Sequence, residues 1–413
     1  MIPLKMIFPL DIFKIIFNYL DFKGQMNMIS SCSYFRTNLF ITNLCDIDEK
    51  YLKALTTNIL KYPIFKNVTD LDAGNNSEII DISFMKSLKK LTAKGKCGIG
   101  QNNIKGLYLI EFNANNNEKI TNVSFMKSLK KLNAIYMCGI NQNGVIGLDL
   151  VELGVDYNNK ITNVSFMKSL KKLAAHQFCG IDQDGIKGLD LVELRIGNNE
   201  KIFDVSFMKS LKILNIWDDC GVNQNGIKGL NLFEFNADHN SKIIDISFMS
   251  SLKKLSMRGR CGINQNNIQN LNLIELYACD NEKIINVSFM KSLKILNVKG
   301  KCGINQNGIE ILNLFEFNAD YNSKIIDISF MSSLKKLSIH GKCGISQNNI
   351  QNLNLIELYA WDNEKIINVS FMKSLKILNA NGKCGINQNG IIGLNLIKLE
   401  IDGNTKFTKN IWK

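Results

Sequence analysis

Proline, histidine and tryptophan are the scarcest residues of this 413-residue chain, with three of each. So little proline excludes a collagen-like or proline-rich extended chain. The three histidines, His176, His239 and His340, have no acid or nucleophile at fixed spacing, so they form no catalytic set. No C-x-x-C pair is present, and three histidines cannot complete zinc sites, so neither a metal nor another cofactor is expected. No apolar run reaches 18 residues, which excludes a transmembrane helix. The Gly-Ile-Asn-Gln-Asn-Gly stretches lack the Lys-Ser/Thr of a phosphate loop and read as turns. Together these absences point to a chain that binds rather than one that catalyses.

What the chain has is a period. Ser-Phe-Met recurs from Ser83 to Ser370, and Cys-Gly from Cys97 to Cys384, each eight times at intervals of 41 residues. Such regularity means a solenoid or a propeller rather than the two or three ordinary domains that the length implies. Each unit splits into two similar halves following LxxLxLxx(C/N)xxI, such as LKKLTAKGKCGI from Leu88 and LIEFNANNNEKI from Leu109. Cys marks one half. Asn marks the other, from Asn76 and Asn117 through to Asn404. Within LKKLTAKG, Leu88, Leu91 and Ala93 point inward while Lys90, Thr92 and Lys94 point outward, the alternation of a strand covered on one face.

These residues resemble the leucine-rich repeat, and NxKITNVSFMKSL is similar to the short coils of bacterial internalins and their eukaryotic relatives. The resemblance covers residues 68–404. It implies an α/β solenoid, a leucine-rich-repeat horseshoe of about seventeen short coils. A single coil cannot bury its own apolar side, whereas stacked coils share one continuous core.

The repeat cysteines occur in every second coil. Parallel strands lie ~4.8 Å apart, so these thiols are ~9.6 Å apart, beyond the ~7 Å that a disulfide spans between Cα atoms. They read as buried structural thiols, which implies a reducing, intracellular compartment, cytoplasm or nucleus. No secretory signal is expected, since Lys5 and Asp11 interrupt the apolar N-terminus.

Residues before Val68 do not follow the repeat. FPLDIFKIIFNYL reads as a helix with Pro9 in its first turn. Asp11, Lys14 and Asn18 form one narrow polar stripe and most of the remaining circumference is apolar, more than a single core contact needs. An exposed surface of that kind marks a protein interface. Phe8, Pro9, Asp11, Ile12, Ile16, Phe17 and Leu20, then Ser31-Cys32 and Phe35-Arg36, resemble the F-box, with Phe8 for the usual Leu, Asp11 for Glu and Phe35 for Trp. That resemblance implies an all-α module that docks on the adaptor subunit of cullin–RING ubiquitin ligases through Phe8, Pro9, Leu10, Asp11, Ile12, Ile16, Phe17 and Leu20. A plain helical cap on the solenoid is the alternative. The expected organisation is an F-box-like module at 1–45, a cap at 46–67, the solenoid at 68–404 and a terminal cap at 405–413. In the cap, Asp46 or Asp48 would start one helix over Glu49–Lys61 that Pro63 ends. Trp412 would help to cover the last coil.

Two outward columns differ in character. Glu111, Glu152 and their equivalents alternate with Lys90, Lys131 and Lys172, a structural ladder of opposite charges. The strand-end column varies instead: Ile135-Tyr136-Met137, His176-Gln177-Phe178 and Trp217-Asp218 stand where other coils have Lys-Gly-Lys. Residues 231–309 and 313–391 are near copies that differ at eight positions. Five of these are strand-end: His239/Tyr321, Arg258/His340, Arg260/Lys342, Cys279/Trp361 and Lys299/Asn381. The concave strand face is therefore where a target protein is expected, at Ile135, Tyr136, Met137, His176, Phe178, Trp217, Asp218, His239, Arg258, Cys279, Tyr321, His340 and Trp361.

The leading expectation is a substrate receptor of a ubiquitin ligase. A repeat scaffold with no ligase role is the alternative. A third reading, an anionic-surface or nucleic-acid binder, rests on the column Lys89, Lys130, Lys171, Lys212, Lys253, Lys294, Lys335 and Lys376. The net charge of +13 fits it, but no aromatic rings interleave the column, which disfavours nucleic acid. The Asn-, Ile- and Lys-rich composition resembles that of amoebal or giant-virus F-box proteins, which would act in a host cell.

Overall fold

The structure, a computed structural model, describes residues 9–45 and 47–407. The expectations placed on Phe8, Asp46 and Trp412 fall outside those residues. The chain divides into two compact units, Met1–Leu191 and Val192–Lys413.

The first unit opens with three helices, α1 (Leu10–Tyr19), α2 (Phe22–Ser31) and α3 (Ser33–Asn38). Pro9 is the residue before α1, with φ −60° and an extended ψ, so it sets the entry to the helix from one position outside it. Asp21 caps α2 by accepting from the Gly24 N–H at 2.7 Å. The Cys32 sulfur caps α3, accepting from the Phe35 N–H at 3.5 Å. The Phe13 and Phe35 rings meet at 5.0 Å and tie α1 to α3. Beneath them Phe17, Ile29, Leu39 and Ile41 are buried.

The module then runs into the sheet. Asn43–Leu44 pairs in parallel with Asp70 and Leu71, so one short strand lies upstream of Val68, where the sequence shows no repeat pattern. Between these strands the single helix expected over Glu49–Lys61 is two, α4 (Glu49–Ala54) and α5 (Thr57–Leu60). The chain turns extended at Leu55, and the Thr56 hydroxyl caps α5 by accepting from Ile59 N–H. Asn76 holds the break by donating to the Leu52 and Leu55 carbonyls at 2.7 and 3.0 Å. Asp48 precedes α4 but its side chain makes no capping bond.

Three-residue parallel strands follow at Asp70–Asp72, Lys90–Thr92, Glu111–Asn113, Lys131–Asn133, Glu152–Gly154 and Lys172–Ala174. Their register pairs Asp70 with Lys90, Lys90 with Glu111, Glu111 with Lys131, Lys131 with Glu152 and Glu152 with Lys172. The second unit repeats the pattern from Glu193–Arg195 to Lys398–Glu400. In all there are seventeen such strands among the described residues, the number of coils that the sequence implies. The middle residue of each strand points into the core: Leu91, Phe112, Leu132, Phe235, Leu255 and Leu276 are all buried.

Polar ladders close each coil. Asn117 is buried, and its Nδ2 donates to Ala93 O at 2.8 Å and Ile99 O at 3.2 Å. Its Oδ1 accepts from the Lys119 N–H at 3.0 Å. Asn158, Asn240, Asn281, Asn322, Asn363 and Asn404 make the same kind of bond to the coil before. On the back, each Asn-Gln-Asn turn sends its Gln to the next coil. The Gln265 Oε1 accepts from Ile285 and Asn286 N–H, and its Nε2 donates to Asn286 O. These coils thus satisfy backbone groups of their neighbours that would otherwise be orphaned.

Candidate functional site

The first surface is the outer face of α1. Asp11, Ile12, Ile15, Ile16, Tyr19 and Leu20 are exposed, Ile15 at 58% and Tyr19 at 88%. Pro9 is exposed and Leu10 half-buried. Phe17 departs from the expected docking set: it is buried inside the module at 2% exposure, so its role there is to hold α1 in place. The polar stripe pairs internally, with Lys14 Nζ 3.1 Å from Asp11 Oδ1. The apolar face is therefore continuous while the charges neutralise each other beside it.

The second surface follows the strand ends. In all seventeen coils the third residue after the strand, at positions such as Asn75, Gly95, Asn116 and Asp280, has positive φ. Glycine, asparagine or aspartate fills most of these positions, as that backbone requires. Five carry larger side chains: Tyr136, Tyr157 and Gln177 in the first unit, and His239 and Tyr321 in the second. A non-glycine residue in this conformation costs about 1–2 kcal/mol. Tyr136 and Tyr157 stack at 5.0 Å between ring centroids, and Phe178 stands 6.4 Å from Tyr157. Tyr136, Met137 and Phe178 are exposed, with Phe178 at 78%, while Ile135 and His176 are half-buried beside them. Three strained positions in consecutive coils, carrying a clustered aromatic strip, mark a place where stability has been given up. Tyr157 escaped the sequence reading because it stands in the Asn-type half of its repeat; its offset from Tyr136 by one coil was the available signal.

Gln177 is the most costly of the five. Besides its φ of 52°, its Oε1 is buried with no protein hydrogen-bond partner among the described residues. Gln177→Gly is expected to stabilise the chain by about 1–2 kcal/mol, because strain and the orphan oxygen together outweigh the glycine's extra chain entropy. A denaturant midpoint that falls instead of rising would show that the side chain has a structural role.

In the second unit the strand-end residues differ in exposure. Trp217 and Asp218 are half-buried, and the Trp217 indole lies against Gly197, where any side chain would collide with it. His239, Arg258, Tyr321 and Trp361 are exposed. Cys279 departs from its expected place on the binding surface: it is 9% exposed and its Sγ donates to Asn297 Oδ1 at 3.0 Å. The near-copy coils also share one constellation. Asp238 accepts from the Ser256 hydroxyl and pairs with Arg258 at 3.6 Å. Asp320 accepts from the Ser338 hydroxyl and faces His340 Nδ1 at 3.5 Å. Burial holds the His340 imidazole below its ordinary pKa, and Asp320 opposes this only in part, so at neutral pH the carboxylate faces a neutral ring. The His340 and Trp361 rings meet edge-on at 6.0 Å.

The charged columns are engaged within the solenoid. Lys131 lies 3.6 Å from Glu111 and 3.5 Å from Glu152, and those two carboxylates raise its pKa. In the column proposed for anions, Lys130 and Lys253 donate to Asp149 O and Asn272 O, one coil on. A further lysine column was missed. Lys119, Lys160, Lys242, Lys283, Lys324 and Lys365 each donate to the carbonyl of a repeat cysteine. Its signal was present in the sequence, two residues after each ladder Asn. The repeat cysteines themselves are buried at 0–1% exposure, and burial pushes the thiols of Cys138, Cys220, Cys261 and Cys384 up to about 11 and that of Cys302 to about 12. Among the described residues no helix is long and apolar enough to cross a membrane.

Parallel three-residue strands, a buried residue at the centre of each but the last, and an Asn ladder closing successive coils define the architecture. The fold is a leucine-rich-repeat solenoid. It is similar to TLR13 in its complex with ssRNA13, at 16% identity and a TM-score of 0.51, over 82% of this chain and 58% of that one. The chain therefore spans rather more than half the length of that protein. Other similar solved structures are InlJ of Listeria monocytogenes, whose functional domain includes a cysteine ladder (16% identity, TM-score 0.39, 76% of this chain and 75% of that one), and the yeast Rad7–Elc1 complex (14%, 0.41, 94% and 92%). No protein-family model matches the sequence, and neither does any curated protein.

Proposed function

We propose that this leucine-rich-repeat protein is a receptor subunit of a ubiquitin ligase, with α1 docking the ligase adaptor and the strand ends holding a target protein. The observation that carries this reading is the apolar outer face of α1. Ile12, Ile15, Ile16, Tyr19 and Leu20 are exposed on a helix that is already anchored from inside by Phe17. Water-exposed apolar area of this kind gains about 25 cal/mol per Å² when a partner covers it. The F-box resemblance of residues 5–45 supplies the kind of partner. The strained aromatic strip from Tyr136 to Phe178 supplies the second contact, rich in the residue types that dominate interface energetics. In this reading the chain performs no chemistry; it raises the target's effective concentration near the ligase.

The test is co-purification with the adaptor subunit of a cullin–RING ubiquitin ligase. Wild type is expected to bind, and Ile12→Asp/Ile16→Asp to lose at least a hundredfold in affinity while keeping its circular dichroism spectrum, since both residues are exposed. If wild type does not bind, or both proteins bind equally, the ligase role is wrong and a scaffold without a ligase is the better account.

A further inference from the structure

The first unit contains a cavity of about 600 Å³ that belongs to neither surface above. It lies between α2, α3 and the segment from Tyr62 to Lys66. That volume is within the ordinary range of small-molecule sites. Its walls are held in place from below. The Ile41 N–H donates to Ile64 O at 2.9 Å, linking the two sides, and Ile29, Leu39 and Phe65 are buried beneath. The cavity is therefore part of the folded unit rather than a gap between loose segments.

Its chemistry is one-sided. Met26, Ile29, Phe40 and Ile64 line it with apolar surface, and its only charged residues are Arg36 and Lys66. No Asp or Glu lines it, and neither cation has a carboxylate partner among the described residues. The Lys66 ammonium stands 4.2 Å over the Phe40 ring, which holds it beside the apolar wall. Arg36 presents a planar fork that matches the two oxygens of a carboxylate. An apolar slot with two uncompensated cations is complementary to a molecule with an aliphatic body and an anionic end.

We propose that this cavity binds a single-chain fatty carboxylate. The chain lies against Met26, Ile29, Phe40 and Ile64, and the carboxylate is held by the Arg36 fork, with the Lys66 ammonium as a second cation beside it. This assignment does not rest on the ligase reading, because none of the residues expected to dock the adaptor lines the cavity.

The experiment is calorimetric titration of the full-length chain with dodecanoate at pH 7.5, below its micelle concentration. One saturable site per chain is expected. Dodecanol and dodecyltrimethylammonium, with the same chain and a neutral or cationic end, should bind at least tenfold more weakly. Arg36→Gln/Lys66→Gln should weaken dodecanoate at least tenfold. Ser30→Trp, on the exposed rim of the cavity, should abolish binding by filling the mouth. Absence of saturable binding overturns the proposal. So does equal affinity for the three end groups, or an affinity that the charge variant leaves unchanged. Should Ser30→Trp fail to fold, the end-group series and the charge variant still decide.

Discussion

Between pH 8 and pH 10 the solenoid is expected to lose several kcal/mol of stability. The cause is the thiol ladder. Burial favours the neutral thiol, so Cys138, Cys220, Cys261 and Cys384 have folded pKa values of about 11 and Cys302 about 12, against 9.0 for an unperturbed thiol. A group whose pKa is raised on folding stabilises the fold fully below its unfolded pKa, and that stability disappears as pH rises through the folded value. The window therefore opens near pH 9 and closes at 11 to 12. At pH 10 the unfolded chain has released most of its thiol protons and the folded chain has not, which costs about 1.4 kcal/mol per thiol. Five thiols together approach about 7 kcal/mol, comparable with the whole stability of an ordinary domain. Four of the five lie in the second unit, so that unit should open first. Guanidinium titrations at pH 8, 9 and 10 measure the effect, and a flat midpoint would refute it. Cys220→Val/Cys302→Val should reduce the slope by the share of two thiols.

Replacing one ladder asparagine should be nearly as damaging at neutral pH. Asn117→Leu keeps the volume but strands the Ala93 and Ile99 carbonyls and the Lys119 N–H in a site only 1% exposed. Each orphaned buried group costs about 1–3 kcal/mol, so a loss of about 4 kcal/mol is expected. Because each coil contacts mainly its neighbours, the damage should stay local. Hydrogen exchange would then accelerate around residues 91–119 before it does elsewhere. Asn102→Ala, on the exposed face of the adjacent turn, should change stability by less than about 0.5 kcal/mol. Equal effects of the two substitutions would show that the ladder is not what holds the coils.

Most of the fold was legible without coordinates, for a physical reason. The solenoid is built from local alternation and nearest-neighbour stacking, so its rules recur every 41 residues. Leu91, Leu132 and Leu255 could be placed in the core, and Lys131 between two glutamates, by counting alone. The helical module was legible for a similar reason, since the apolar excess of α1 is a property of its own ten residues. The break at Leu55 was not, because it depends on Asn76, which reaches back to Leu52 and Leu55 from the first coil.

The candidate site was legible only as a column. Sequence comparison located the variable strand-end positions but could not say what each side chain does there. Cys279 and Trp361 occupy equivalent places in near-identical coils, yet the thiol is small enough to turn inward onto Asn297 while the indole remains 46% exposed. Trp217 is held against the space that Gly197 leaves. The lysine columns look like free charge in the sequence, but many of their ammonium groups reach carbonyls one coil away. The periodicity, the reduced buried thiols and the exposed apolar helix follow from the sequence because each depends on intervals within one repeat or one helix. Whether a given side chain faces solvent, stacks or strains its backbone depends on the neighbouring coil, and only the tertiary structure decides that.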